Sequence, residues 1–253
     1  MQQHSTLRLA ARIAWTDFSL RFKRTKLGII WGVLNPFFMF MVLFVVLTRF
    51  RAAHSEHLFI PSLLIGLLTW ELFSDATTLA AANILQKRGI VRAIPFPLIS
   101  LPLASVFQTT AVFLTSFVIL LAVLPFVSVS FHWIQFLFII PFASLLLLTF
   151  AVACFVSIAT AFYPDTVHIW RWFLRVGFFI SPVFYTTQLL LPENRPWFML
   201  NPIARILETA RATLLFHQAV WPDLTLIFVI TLAAATLGFI AFQKYSSAIR
   251  DRL

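Results

Sequence analysis

The sequence predicts an all-α membrane protein with six transmembrane helices. Three observations predict it. Hydrophobic residues make up 60% of the 253 positions and charged residues 11%, whereas soluble domains carry about a quarter charged residues. No Asp, Glu, Lys or Arg occurs anywhere in 93–164, and a crossing needs about 20 apolar residues, so this stretch holds two crossings and a turn. The apolar runs are continuous rather than alternating, which excludes barrel strands with their period of two. In so apolar a chain the formal charge of +10 points to cytoplasmic loops meeting anionic headgroups, and not to nucleic acid.

The elements follow in order. Residues 1–26 form a basic amphipathic stretch. Arg8, Arg12, Thr16, Ser19 and Lys23 share one helical face, and Leu7, Ala11, Ala14, Phe18 and Phe22 share another. A helix of that kind ending in Arg21, Lys23, Arg24 and Lys26 lies in the inner headgroup layer. Span one covers 27–48, opens with a Gly28/Gly32 pair that permits close helix approach, and carries Phe37, Phe40 and Phe44 on nearly one face. The first apolar run is long enough to span, so no cleavable signal peptide is expected.

A short outer loop follows, with His54 and His57 flanking Glu56. It reads as a solvated loop in preference to a metal site, and no metal ligand is assigned. Span two covers 58–79 and contains Glu71 and Asp75 at i,i+4. Ionisable groups inside a span are candidates for function, here for gating. Residues 80–97 carry Asn83, Gln86, Lys87, Arg88 and Arg92 before Pro95 and Pro97. They predict a short cytoplasmic helix that stops ahead of the prolines.

Spans three and four cover 99–125 and 133–162, separated by a turn that includes Pro125, Ser128, Ser130 and His132. Span five covers 167–185 and brings Phe173, Phe178, Phe179, Phe184 and Tyr185. The outer segment 186–223 is long yet too broken to span. Within it Asn201 caps a helix whose first residue is Pro202. Ile203, Ile206, Leu207, Ala210 and Leu214 share one face of that helix, and Arg205, Glu208 and Arg211 stand at i,i+3 spacing. This predicts re-entrant or interfacial helices at the outer mouth. Span six covers 224–242. With the N-terminus inside, all of the 19 Lys and Arg fall on the cytoplasmic side except Arg49, Arg51, Arg195, Arg205 and Arg211. Both termini are then cytoplasmic, as an even number of spans demands.

Catalytic motifs are missing. No GxxxxGK[ST], HExxH, CxxC or GxSxG occurs, and the chain has six glycines. ATP-driven transport would therefore need the nucleotide site on another polypeptide. The single Cys154 excludes a disulfide within the chain. An enzyme acting on polyprenyl-linked glycans would have to use Glu56, His57, Glu193, Glu208, His217 or Asp223, whose spacing suggests no site. A proton-coupled transporter would have to use Glu71 and Asp75, with no internal repeat to support it.

Residues 21–36, RFKRTKLGIIWGVLNP, resemble the opening signature of type-2 ABC transporter permeases for polysaccharide export, the transmembrane subunits of O-antigen, teichoic acid and capsule exporters. Further resemblances follow in order: GLLTWELFSDA (66–76), IPFPLISLPLA (94–104), SPVFY (181–185) and LPENRPWFMLNPIARILETAR (191–211). The chain departs from the pattern at Phe22 for Tyr, at Thr69 for Pro, and at Pro164-Asp165 for Arg-Asp.

The resemblance implies a homodimeric, inner-membrane permease with no covalent chemistry and no cofactor of its own, working with two ABC ATPase subunits that bind ATP and Mg. On this reading residues 27–253 are a single six-span type-2 ABC transmembrane domain. The cargo would be an undecaprenyl-diphosphate-linked polysaccharide. Another cargo, such as a drug or a small lipid, is the nearest alternative. The passage would lie along spans one and five, with Trp31, Phe37, Phe40, Phe44, Phe178, Phe179, Phe184 and Tyr185 as its aromatic lining. Arg21, Lys23, Arg24 and Lys26 would meet the diphosphate. Asn83, Gln86, Lys87, Arg88 and Arg92 would couple to the ATPase.

Overall fold

The computed structural model describes residues 2–23, 34, 37–45, 58–93, 96–127, 129–185, 193 and 195–252. Among these residues the regular secondary structure is helical, with no strand. Helix α1 is Gln2–Lys23, and residues 37–45 are helical and labelled α2. Then come α3 (Phe59–Gln86), α4 (Arg88–Ala93) and α5 (Ser100–Val123). Two 3-10 turns, Leu124–Val127 and Trp133–Phe138, lead into α6 (Ile139–Phe162). The remainder is α7 (Thr166–Ile180), α8 (Arg195–Phe198), α9 (Pro202–Leu214) and α10 (Trp221–Arg252).

Among the described residues four helical stretches are long and apolar enough to cross a membrane: Phe59–Gln86, Ser100–Ala122, Trp133–Phe162 and Trp221–Arg252. They correspond, with different ends, to the expected spans two, three, four and six. Of span one, only residue 34 and 37–45 fall within the described residues. Span five differs from its expected bounds. Helix α7 has 15 residues, a length of about 22 Å at 1.5 Å per residue, and ends at Ile180. Ser181 is extended (φ −79°, ψ 143°) because Pro182 follows it, and the residue before a proline is pushed out of the helical region. The rest of the expected span, Ser181–Tyr185, is an inward-packed turn with Val183 fully buried.

Two spans run further than expected. Ala80, Ala81 and Ala82 offer no break and have high helix propensity, so α3 continues to Gln86 and only α4 forms a separate short helix. Helix α10 has 32 residues, about 48 Å at the same rise, and carries Lys244, Arg250 and Arg252 beyond the expected end.

Helix α6 lies at the centre, packed along α10 on one side and α3 on the other, while α3 also packs along α5. Gly238 of α10 meets the backbone of Ala151, where an added Cβ would come within 3.0 Å of the Ala151 Cα. This is the close approach that small residues permit between membrane helices. Helix α1 lies across α5 through Ala10, Ala14 and Ala104. The apolar face of α1 is thus Ala10, Ile13 and Ala14. Ala11, expected on it, is exposed beside Arg8 and Arg12, because the contact runs along the side of α1 that faces α5. The side chains of Leu7, Phe18 and Phe22 lie outside the described ones.

Candidate functional site

Three constellations emerge from this packing. The first is a cleft of about 480 Å³ between α2, α3 and α7. Met39 of α2, Trp70, Glu71 and Asp75 of α3, and Arg171, Arg175, Phe178 and Phe179 of α7 line it. Carboxylates and guanidiniums thus share one cleft with aromatic rings. Trp70 anchors the aromatic series. Its ring lies 5.9 Å from Phe178, which lies 5.4 Å from Phe179 and 5.8 Å from Phe184, and Phe184 lies 5.1 Å from Tyr185. Gly177 makes room for the indole, since a Cβ there would stand 2.9 Å from the Trp70 Cη2. The Trp170 indole N–H donates to the Thr77 hydroxyl at 3.0 Å, fixing α7 on α3.

The structure therefore joins four of the expected aromatic residues, Phe178, Phe179, Phe184 and Tyr185, in one cluster. Phe40 and Phe44 stack at 5.7 Å on α2, and Phe40 packs against the core. Phe37 is exposed. Trp31 lies outside the described residues. Glu71 and Asp75, expected to act in gating, both line the cleft. The sequence reading missed Trp70, although it stands one residue before Glu71 and on the same helix.

The second constellation is the corner where α9 meets α3 and the turn after α7. Asn201 caps α9 as expected: its Oδ1 accepts from the Ile203 N–H at 3.0 Å, while its Nδ2 donates to the Ser181 hydroxyl at 3.0 Å. Arg211 is 1% exposed. It donates to the carbonyls of Ser62, Val183 and Tyr185 and to Glu208 at 3.1 Å. Burial pulls the Arg211 pKa below its ordinary value, and the charge of Glu208 opposes that. One buried charge thus ties α9 to α3 and to the turn after α7. The expected i,i+3 series is half realised, because Arg205 pairs with Asp223 at 3.0 Å instead of with Glu208. Among the enzyme candidates, Glu208 and Asp223 are engaged by these arginines, and His217 by Ser130 and Gln135. Glu193 is exposed, and Glu56 and His57 lie outside the described residues. No cluster of three metal-ligating side chains occurs among the described residues.

The third constellation is the segment around α4. Asn83 is buried and donates to the Ser105 hydroxyl of α5 at 2.9 Å. That bond holds α3, whose residue Asn83 was expected to take part in coupling, against α5. Lys87 forms an ion pair with Asp17 of α1 at 2.6 Å, a contact that the sequence reading missed because the partners are 70 residues apart. Gln86, Arg88, Ile90 and Arg92 are exposed on one short stretch. Arg250 of α10 donates to the Phe96 carbonyl at 3.0 Å. Arg24 and Lys26 lie outside the described residues, as do the side chains of Arg21 and Lys23.

Comparison with known proteins agrees with this arrangement. Residues 10–215 match the ABC-2 type transporter family. An O-antigen export system permease protein RfbA of Klebsiella pneumoniae is 21% identical over 231 residues, which is 90% of this chain and 88% of that protein. The protein of the same name from Myxococcus xanthus is 25% identical over 238 residues, 91% of this chain and 88% of that one. The polysialic acid transport protein KpsM of Escherichia coli is 19% identical over 197 residues, 77% and 76% of the two chains. The family match runs from α1 through the cleft and α4 to the buried arginine of α9, and on that extent the chain belongs to the ABC-2 type transporter family.

Proposed function

We propose that this chain is the membrane-spanning permease of an ATP-driven exporter that moves lipid-linked polysaccharide across a bacterial inner membrane. The cleft between α2, α3 and α7 carries the reading. Aromatic rings offer flat apolar faces to sugar rings, while Glu71, Asp75, Arg171 and Arg175 supply hydrogen-bonding groups along the same wall. The relatives named for O-antigen export and polysialic acid transport support a glycan cargo.

In the full reading the subunit has six spans, with 27–48 and 167–185 as the first and fifth, and both termini in the cytoplasm. Two copies form the passage between them, and each meets an ABC ATPase that binds ATP and Mg. Gln86, Arg88 and Arg92 face that partner. Arg21, Lys23, Arg24 and Lys26 draw the diphosphate of an undecaprenyl-linked chain to the inner surface, where their charge density attracts phosphate. The permease itself makes and breaks no covalent bond. It changes shape as the partner binds and hydrolyses ATP.

The test is purification of the tagged protein from its native membrane in mild detergent, followed by ATPase assays. The expected result is an equimolar ATPase chain whose turnover rises when lipid-linked polysaccharide is added. An ATPase stimulated by a small lipid or a drug, but not by the glycan, would keep the family and overturn the cargo. Recovery of the intact protein without any ATPase would overturn the transport reading.

A further inference from the structure

An apolar cavity of about 740 Å³ opens between α5 and α6, at the end of the bundle opposite Lys87 and α4. Its volume falls within the range of about 300–1,000 Å³ found for small-ligand sites. Four phenylalanines form its wall as a closed stack. The ring centroids of Phe113 and Phe117 are 5.5 Å apart, Phe117 and Phe138 4.7 Å, Phe138 and Phe142 6.1 Å, and Phe113 and Phe142 5.2 Å. All four pairs lie within 19° of parallel. Leu114, Leu121 and Ile139 stand exposed at its open side. Gln135 closes one end, donating to the carbonyls of Ser130 and Leu214 at 3.3 and 3.0 Å.

We infer that this cavity is a binding site for one acyl chain of a bilayer phospholipid. An apolar cavity of this size does not hold water, which would lack polar partners there. Its open side lies between two helices that are long and apolar enough to span, so the medium at its mouth is hydrocarbon. The stack offers an acyl chain flat, stationary ring faces. Loose contact with a ridged helix surface offers none.

A phospholipid is favoured over a polyprenyl diphosphate by the distribution of charge. Arg8, Arg12, Arg88 and Arg92 are exposed at the opposite end of the bundle. At the cavity's own end Arg205 and Arg211 are each paired with a carboxylate. A diphosphate head would therefore be drawn away from this cavity. The inference rests on the membrane location alone and stands whatever the exporter's cargo is.

The experiment uses the whole protein reconstituted in phosphatidylethanolamine vesicles that contain a trace of the same lipid with a diazirine near the end of one acyl chain. After irradiation, adducts are mapped by mass spectrometry. Cavity residues Phe113, Leu121 and Ile139 are expected to carry about tenfold more label than the exposed Leu232, Leu237 and Ile240 of α10, the ratio that about 1.4 kcal/mol of selective binding gives. Leu114→Trp and Leu121→Trp, each placing an indole at the cavity mouth, are expected to bring the remaining cavity residues down to the α10 level with α10 labelling unchanged. Equal labelling of cavity and α10 in the unaltered protein would show ordinary boundary lipid and overturn the inference. Enrichment that neither variant removes would also overturn it. So would preferential labelling of the cavity by a diazirine-bearing polyprenyl phosphate, which would assign the site to the other lipid.

Discussion

At the scale of single residues, Arg211 is a costly group to disturb. Its guanidinium is desolvated and spends its donors on three carbonyls and Glu208. Removing one partner of such a buried set leaves the others unpaired, at about 3–5 kcal/mol. Arg211→Met is therefore expected to leave little folded protein in the membrane, and Arg211→Lys, which lacks the planar fork, to rescue it only partly. Gel filtration in detergent reads both. Gly66 belongs to the same contact, because a Cβ there would collide with the Val183 carbonyl oxygen. Gly66→Ala should lower thermal stability in the same assay, with the backbone of the post-α7 turn having to move. Were Arg211→Met to survive at full yield, the corner would not be held by this charge.

The Asp17–Lys87 pair is of another kind. Both side chains keep partial solvent access, at 24% and 17%, so the pair contributes about 0.2–1 kcal/mol. Its interest is positional, since it fastens α1 to the segment that precedes α4. Asp17→Lys and Lys87→Asp are each expected to reduce export several-fold in membranes, and the double swap to restore most of it. Failure of the swap to restore export would make the pair incidental.

At the scale of elements, the segment from Asn83 to Phe96 is tied to three helices: to α5 by Asn83, to α1 by Lys87 and to α10 by Arg250. Displacement of α4 would thus be passed to the near ends of all three. Gln86, Arg88 and Arg92 are exposed and take no part in these ties, which suits the proposed contact with an ATPase. Arg88→Ala with Arg92→Ala is expected to leave folding unchanged and to lower transport-coupled ATP hydrolysis, whereas Asn83→Ala should act on stability. ATPase rates and melting temperatures of the two variants separate these effects.

Much of this element order was legible in the sequence, because apolar run length sets spans and Asn-Pro sets a helix start. Helix ends were less so. The Ser181-Pro182 break shortens α7 from within an apolar run, and alanines carry α3 past its expected end. Among site residues, the α7 aromatics were legible from composition. Trp70, the three-way ties of Arg211 and the Asp17–Lys87 pair were not, since each depends on contacts between residues far apart in the chain.

At the scale of the whole molecule, α7 is incompletely covered. Leu174 and Phe178 pack inward, whereas Arg171, Trp172, Phe173, Arg175, Val176 and Phe179 are exposed. An exposed charge on a helix beside lipid needs water or a partner, and α7 presents Arg171 and Arg175. The proposed second copy resolves this: the arginines would then face a watery passage and the rings would face the other subunit. On α10 the exposed side between Leu226 and Ile240 is apolar but for Thr236, as suits lipid, and needs no such cover. Phe179→Cys in a Cys154→Ser background is therefore expected to cross-link between copies in native membranes with a short bifunctional reagent, while Leu237→Cys in the same background is not. Cross-linking at Leu237 in place of Phe179 would put α10 at the subunit boundary and leave α7 facing lipid. The passage would then have to lie within one subunit, and the Glu71–Arg175 cleft would be its entire wall instead of half of it.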